Sequence, residues 1–126
     1  MSAVVVMDID IVEMKLEDLD DVMEIEHASF PIPWSRMSFE EEIMCNRHGF
    51  YIVAKHGHRA VGYGGMWKVL DEAHITNIAV HPAYRRRGIG YALLKALIHI
   101  AENSNIVSMT LEVRESNRAA QKLYSA

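Results

Sequence analysis

The sequence predicts an α/β fold in which strands and helices alternate around one sheet, and three stretches carry the prediction. Ile75-Thr76-Asn77-Ile78-Ala79-Val80 is rich in β-branched residues and leads through His81-Pro82-Ala83-Tyr84 and Arg85-Arg86-Arg87-Gly88-Ile89-Gly90 into Tyr91-Ala92-Leu93-Leu94, where helical spacing begins. Phe50 to Lys55 and Arg59 to Leu70 flank the tight turn His56-Gly57-His58 and read as a hairpin. Ile106 to Arg114 keeps a period of two, with Val107, Met109, Leu111 and Val113 on one side and Ser108, Thr110, Glu112 and Arg114 on the other.

Bulk properties bound the class. With 126 residues, half of them hydrophobic and 24% charged, the chain makes one domain, 1–126, with a real core. No apolar run reaches membrane length. The start Met1-Ser2-Ala3-Val4-Val5-Val6 has no positive residue and soon meets Asp8 and Asp10, unlike a secretory signal. The single cysteine, Cys45, excludes an internal disulfide and fits a reducing, cytoplasmic setting. A net charge of −4 argues against general nucleic-acid affinity, so Arg85 to Arg87 is a local basic feature. Taken alone it suits either a polyanionic ligand or a solvated corner.

The elements follow in order. Met7 to Met14 alternates apolar and acidic residues and reads as a half-exposed first strand. Leu16 to Ala28 is a helix whose stripe is Leu19, Val22, Met23 and Ile25/Glu26, with a solvated acidic face opposite. Phe30-Pro31-Ile32-Pro33-Trp34 forms an extended loop, because each proline disfavours helix in the residue before it. Ser38-Phe39-Glu40-Glu41 reads as a capping box opening a helix to about Asn46, with Cys45 a small core residue on it. Gly62, Gly64 and Gly65 weaken the returning hairpin strand and mark a bend or a place where a ligand approaches closely. Asp71-Glu72 turns the chain into the central strand, which stops near Pro82. The long helix runs from Gly90 to about Glu102, with Leu93, Leu94, Leu97 and Ala101 on its apolar side, and Asn103-Ser104-Asn105 ends it. Ser116-Asn117 opens a last helix carrying Ala119, Ala120 and Leu123. His56 and His58 have no third metal ligand at useful spacing, so no metal site is expected.

A strand feeding a glycine loop at a helix N-terminus is an anion site, since free amides and the positive dipole end converge there. The pattern Arg85-x-x-Gly88-x-Gly90 is neither a Walker A loop nor a dinucleotide G-x-G-x-x-G. It resembles the pyrophosphate loop of the GCN5-related N-acetyltransferases (GNAT), which hold acetyl-coenzyme A. Asn77-Ile78-Ala79-Val80 resembles the central strand of that family. Leu111-Glu112-Val113-Arg114, Ser116-Asn117 and Leu123-Tyr124 follow in the family's order, and Phe30-Pro31 with Pro33-Trp34-Ser35 is similar to the early loop of its ribosomal-protein-alanine (RimI-like) branch.

The resemblance implies a mixed, mostly antiparallel central sheet flanked by helices. It implies that Arg85, Arg86, Arg87, Gly88, Ile89 and Gly90 cradle the pyrophosphate, and that Ile78, Ala79 and Val80 line the pantetheine arm and thioester. Asn117 then contacts that arm, Glu112 is the general base facing the acceptor, and Tyr124, beside the cofactor, is the general acid for the leaving thiolate. Phe30 and Trp34 form a wall for the acceptor; read from the residues alone, they anchor the loop on the core. Glu112 and Tyr124 read by themselves are an exposed strand carboxylate and a packed helix tyrosine.

The activity implied is acetyl transfer to the α-amine of a protein N-terminus, a ribosomal protein alanine first among acceptors, by direct attack and without a ping-pong intermediate. No metal, nucleic acid or membrane takes part. A small-molecule amine or polyamine acetyltransferase and an acetyl-coenzyme A-binding module with impaired catalysis are the rival readings. The family pattern continues after the tyrosine to Gly-Phe and further C-terminal strands that this sequence lacks. A shortened sequence, a second copy covering the open edge as a homodimer, or a cofactor fold without efficient catalysis are the readings of that difference.

Overall fold

In the computed structural model, which describes residues 8–111, the elements are β1 (Asp10–Glu13), α1 (Leu19–Ser29), α2 (Arg36–Met44), β2 (Gly49–His56), β3 (Arg59–Val69), β4 (Glu72–Val80), α3 (Ile89–Glu102) and β5 (Ser108–Leu111). The strands form one sheet in the order β1-β2-β3-β4-β5. Neighbours from β1 to β4 pair antiparallel, and β5 lies parallel to β4, with α3 as the crossover that a parallel pair requires. The mixed, mostly antiparallel sheet is as expected.

Helices cover both faces. On one, Leu93, Leu94, Leu97 and Ala101 of α3 pack on Ile52, Ala54, Val61, Ile75 and Ile78. On the other, Leu19, Val22 and Ile25 of α1 and Phe39 of α2 pack on Tyr51, Val53, Tyr63 and Ala79. The central strands β2 and β3 are therefore buried on both sides, and their sequences read as nearly continuous apolar runs.

One irregularity shapes the site. Gly65 pairs with Asn77 but Met66 pairs with Ile75, so Thr76 is an extra residue, a β-bulge. The bulge reverses the alternation along β4. Ala73 and Ile75 pack with α3, whereas Ala79, and with it Asn77 two positions earlier, turns to the α1 and α2 side.

At the hairpin glycines the close neighbours are the protein's own side chains, not the ligand that the sequence suggests. A Cβ on Gly62 would lie 3.1 Å from Leu93, and one on Gly64 3.2 Å from Leu97, so α3 rests directly on bare backbone. At Gly65 the neighbour is the Tyr51 ring, 2.3 Å from where a Cβ would be.

Several sequence expectations are corrected. Helix α2 opens at Arg36, not at Ser38. The Ser35 hydroxyl accepts the Ser38 N–H at 3.1 Å, so the chain becomes helical at the first good cap after Pro33, and Ser38 sits one turn inside. Cys45 is exposed, because α2 ends at Met44 and Cys45 is its C-cap. Val107 is exposed and precedes β5; its N–H is held by the Asp71 carbonyl at 2.7 Å, which starts the strand at Ser108. Not every acidic residue outside the stripe is solvated: Asp18 is buried, as is Glu26 within the stripe. Asp18 accepts the Lys15 N–H at 2.9 Å and pairs with Lys55 at 2.8 Å, which compensates its desolvation.

Candidate active site

The loop between β4 and α3 is pinned at its base and open at its tip. Gly88 precedes the helix with φ +80, and among the described residues no side chain caps the first turn of α3. A Cβ at Gly88 would meet none of the described atoms within 4 Å. Arg86 is also left-handed, at φ 63. Behind the tip, Arg85 donates from Nε to the Val80 carbonyl at 3.0 Å and from Nη2 to the Ser29 hydroxyl at 3.3 Å. Arg87 lies over the Tyr84 ring, with Arg59 also packed on that ring. His81 accepts the Ala83 N–H and meets both Glu24 and Arg59 at 3.2 Å. Among the described residues Arg86 has no acidic partner. A helix N-terminus preceded by a left-handed glycine and three exposed arginines suit a polyanion such as a pyrophosphate.

Of the predicted loop residues, Gly88, Ile89 and Gly90 thus stand where an anion would lie, and buried Ile89 locks the first turn into the core. Arg85 is committed in part to holding the loop on the end of β4. Ile78, Ala79 and Val80 form the last stretch of β4. Its described pairing with β5 ends at Ile75 opposite Leu111, and Thr76 to Val80 run on past that point. Glu112, Asn117 and Tyr124 lie outside the described residues.

On the α1 and α2 side the floor is polar. Glu26, fully buried, accepts the Trp34 backbone N–H at 2.7 Å and the Tyr63 hydroxyl. It ties α1, the loop after it and β3 together. Phe30 is buried with Phe39 and Tyr63, and Trp34 is half-buried with its ring 5.3 Å from that of Phe39. Both aromatics therefore do what their residue types alone imply, anchoring the loop on the core. Nearer the α2 edge, Glu42 accepts from Asn46 at 2.6 Å, the Tyr51 hydroxyl at 3.1 Å and the Trp67 indole at 3.2 Å, all through Oε2. Burial, with the Glu42 carboxylate adding to it, pushes the Tyr51 phenol up, so it stays neutral through the physiological range. Asn77 is buried, and neither polar atom of its side chain has a hydrogen-bond partner among the described residues.

Sequence reasoning missed Glu26 and the Glu42, Tyr51 and Trp67 cluster as site-forming groups. The signal for Glu26 was present: it falls four residues after Val22, inside the apolar stripe, where a carboxylate needs a partner. The Glu42 cluster joins residues 9 and 25 positions apart, and no local pattern reveals it.

The sequence profile of the Acetyltransferase (GNAT) family matches residues 19–126. The chain belongs to this family. A putative [ribosomal protein bS18]-alanine N-acetyltransferase of Bacillus subtilis is 45% identical over 112 residues, spanning 88% of this chain and 74% of its own. The [ribosomal protein bS18]-alanine N-acetyltransferase of Escherichia coli K12 is 36% identical over 113 residues, spanning 90% and 75%. The crystal structure of the ribosomal-protein-S18-alanine N-acetyltransferase from Escherichia coli superposes with a TM-score of 0.82 at 33% identity, covering 94% of this chain and 75% of that one.

As a GNAT acetyltransferase the chain uses acetyl-coenzyme A as its acetyl donor, and the loop from Arg85 to Gly90 fits the donor's pyrophosphate by the features above. Among the described residues no group of three His, Cys, Asp or Glu is placed to hold a metal ion, and no helix is long and apolar enough to cross a membrane.

Proposed function

We propose that this acetyltransferase acetylates the α-amine of a protein N-terminus, with an N-terminal alanine of a bS18-like ribosomal protein as its favoured acceptor. One observation carries the reading: relatives named for that activity, at 45% and 36% identity, align over 88% and 90% of this chain. The aligned part includes the Phe30 to Ser35 loop that Glu26 fastens to the sheet. A cytoplasmic setting goes with such an acceptor.

The chemistry divides among the chain's own groups. Backbone amides from Arg86 to Gly90 hold the donor's pyrophosphate at the α3 N-terminus. Backbone groups around Ile78 and Val80 line up with the pantetheine arm, and an N–H there faces the thioester oxygen as negative charge develops on it. Asn117 supports the arm. Holding both substrates in one ternary complex supplies proximity, so no covalent enzyme intermediate is needed. An α-amine has a pKa of about 7.7–8.0 and must lose a proton to attack. Glu112, the residue after Leu111 in sequence, takes that proton, and Tyr124 donates one to the leaving thiolate. The loop that Phe30 and Trp34 anchor on the core walls in the incoming peptide. A homodimer formed along the β5 edge belongs to the same reading, and sedimentation tests it; a strict monomer would remove it.

The deciding experiment pairs calorimetric titration of acetyl-coenzyme A and desulfo-coenzyme A with a thiol-release assay on an N-terminal alanine peptide. Binding of both nucleotides and thiol release dependent on the peptide are expected. Release with a polyamine instead would replace the acceptor class, and binding without release would make the chain a donor-binding module. Glu112→Gln is expected to abolish most turnover at neutral pH and leave acetyl-coenzyme A binding intact; an unchanged kcat would remove Glu112 from the mechanism.

A further inference from the structure

Asn77 is a buried amide with nothing to bond. It is 3% exposed, and both Oδ1 and Nδ2 lack a hydrogen-bond partner among the described residues. Stranding a buried polar group is costly, and native proteins rarely tolerate it without a reason. A leucine has nearly the same size and would occupy the position with no such cost. The amide is therefore a group kept for something it meets.

Its position says what that is. The bulge at Thr76 turns Asn77 away from α3 and onto the α1 and α2 face. Immediately after it comes Ile78, the start of the strand segment assigned to the thioester. Opposite it is Gly65, whose missing side chain leaves room for the Tyr51 ring. One row further along the sheet, Tyr63 pairs with Ala79 and reaches Glu26, which holds the Trp34 N–H of the acceptor loop. Asn77 thus lies between the loop anchor and the Glu42, Tyr51 and Trp67 cluster, on the floor next to the donor strand.

We infer that the Asn77 side chain binds the acceptor's amino-terminal residue, with Oδ1 accepting an amine N–H and Nδ2 donating to the first carbonyl oxygen. The inference rests on the proposed transfer to an amine. An amide suits this place because it is neutral at every working pH, orients the amine by hydrogen bonds, and leaves the proton to the base. The same pair of contacts rejects an acceptor lacking either group.

Asn77→Leu and Asn77→Ala test it, with alanine peptide and spermidine as alternative acceptors, acetyl-coenzyme A titration and thermal unfolding in parallel. The leucine variant should hold or raise Tm, keep the acetyl-coenzyme A Kd, and lower kcat/KM for the peptide by about tenfold or more, mostly through KM, as expected for a lost hydrogen bond. The alanine variant should show the same KM effect even if the leucine variant fails to fold. A fall in Tm with unchanged kcat/KM would make Asn77 structural and overturn the inference, as would unchanged kcat/KM at any Tm. If the wild type acetylates spermidine and not the peptide, the acceptor class fails while a raised spermidine KM in the variants still supports Asn77. Turnover of neither acceptor by the wild type overturns both.

Discussion

The carboxylate of Glu26 accepts the backbone N–H of Trp34 at 2.7 Å, eight residues away across two prolines. Through this bond a carboxylate inside α1 sets the path of the Phe30 to Ser35 loop, and through the Tyr63 hydroxyl the same carboxylate is fixed to β3. Burying a carboxylate is costly unless donors converge on it, so the loop and the sheet stabilise the charge as much as the charge positions them.

Removing that carboxylate should therefore loosen the loop before it touches the donor site. Glu26→Ala strands two buried donors, each at about 1–3 kcal/mol. Urea unfolding should show a loss of that order, and the peptide KM should rise while the acetyl-coenzyme A Kd holds. A variant as stable as the wild type would mean that the contact contributes no net stability.

Gly65→Ala drives a methyl group into the Tyr51 ring, 2.3 Å from the new Cβ, and Glu42 and Trp67 hold that phenol in place. Overpacking of this kind costs about 1–3 kcal/mol. Gly57→Ala is the control: its φ is +65 but its surroundings are open, so only backbone strain of about 1 kcal/mol is expected in chemical denaturation.

Gly88→Ala separates strain from collision at the donor loop. The φ of +80 disfavours an L residue, yet the space around the position is clear. Relaxation of the loop out of this conformation should misplace the first amides of α3. Calorimetry should read an acetyl-coenzyme A Kd weakened by about tenfold, near 1.4 kcal/mol, with little change in Tm. An unchanged Kd would place the pyrophosphate elsewhere.

The Lys55 and Asp18 pair carries a pH dependence. The hydrogen bond to Asp18 raises the Lys55 ammonium above its ordinary value. A raised folded value stabilises the protein fully below the unfolded lysine value, about 10.4, and the contribution is lost as pH rises through the folded value. Lys55→Gln should be less stable than the wild type from pH 7 to 9, because it leaves Asp18 buried without its cation, and the difference should shrink above about pH 10.5. Urea midpoints across that range check it; a constant difference up to pH 11.5 would contradict the assignment.

Much of the fold was legible because its signals are local. The β-branched run before Pro82, Gly88 ahead of an apolar stripe and the period of two after Ile106 each report one element from neighbouring residues. Element ends were less legible. Ser35 and Ser38 are both plausible caps, and only the path of the chain after Pro33 selected Ser35. Val107 fits the alternation of its strand, but the Asp71 carbonyl takes its N–H and leaves its side chain outside the sheet.

By itself the sequence determined the strand, loop and helix that form an anion site, and the family to which they belong, since both depend on residue types at fixed spacing along the chain. Only the tertiary structure decided what lies opposite that site. The bulge at Thr76 depends on how β3 and β4 pair, and it alone turns Asn77 toward the α1 and α2 side. The burial of Glu26 depends on Trp34 and Tyr63 arriving from 8 and 37 positions away. A polar group's worth is set by the partners that meet it in space, and those contacts carry no period in sequence.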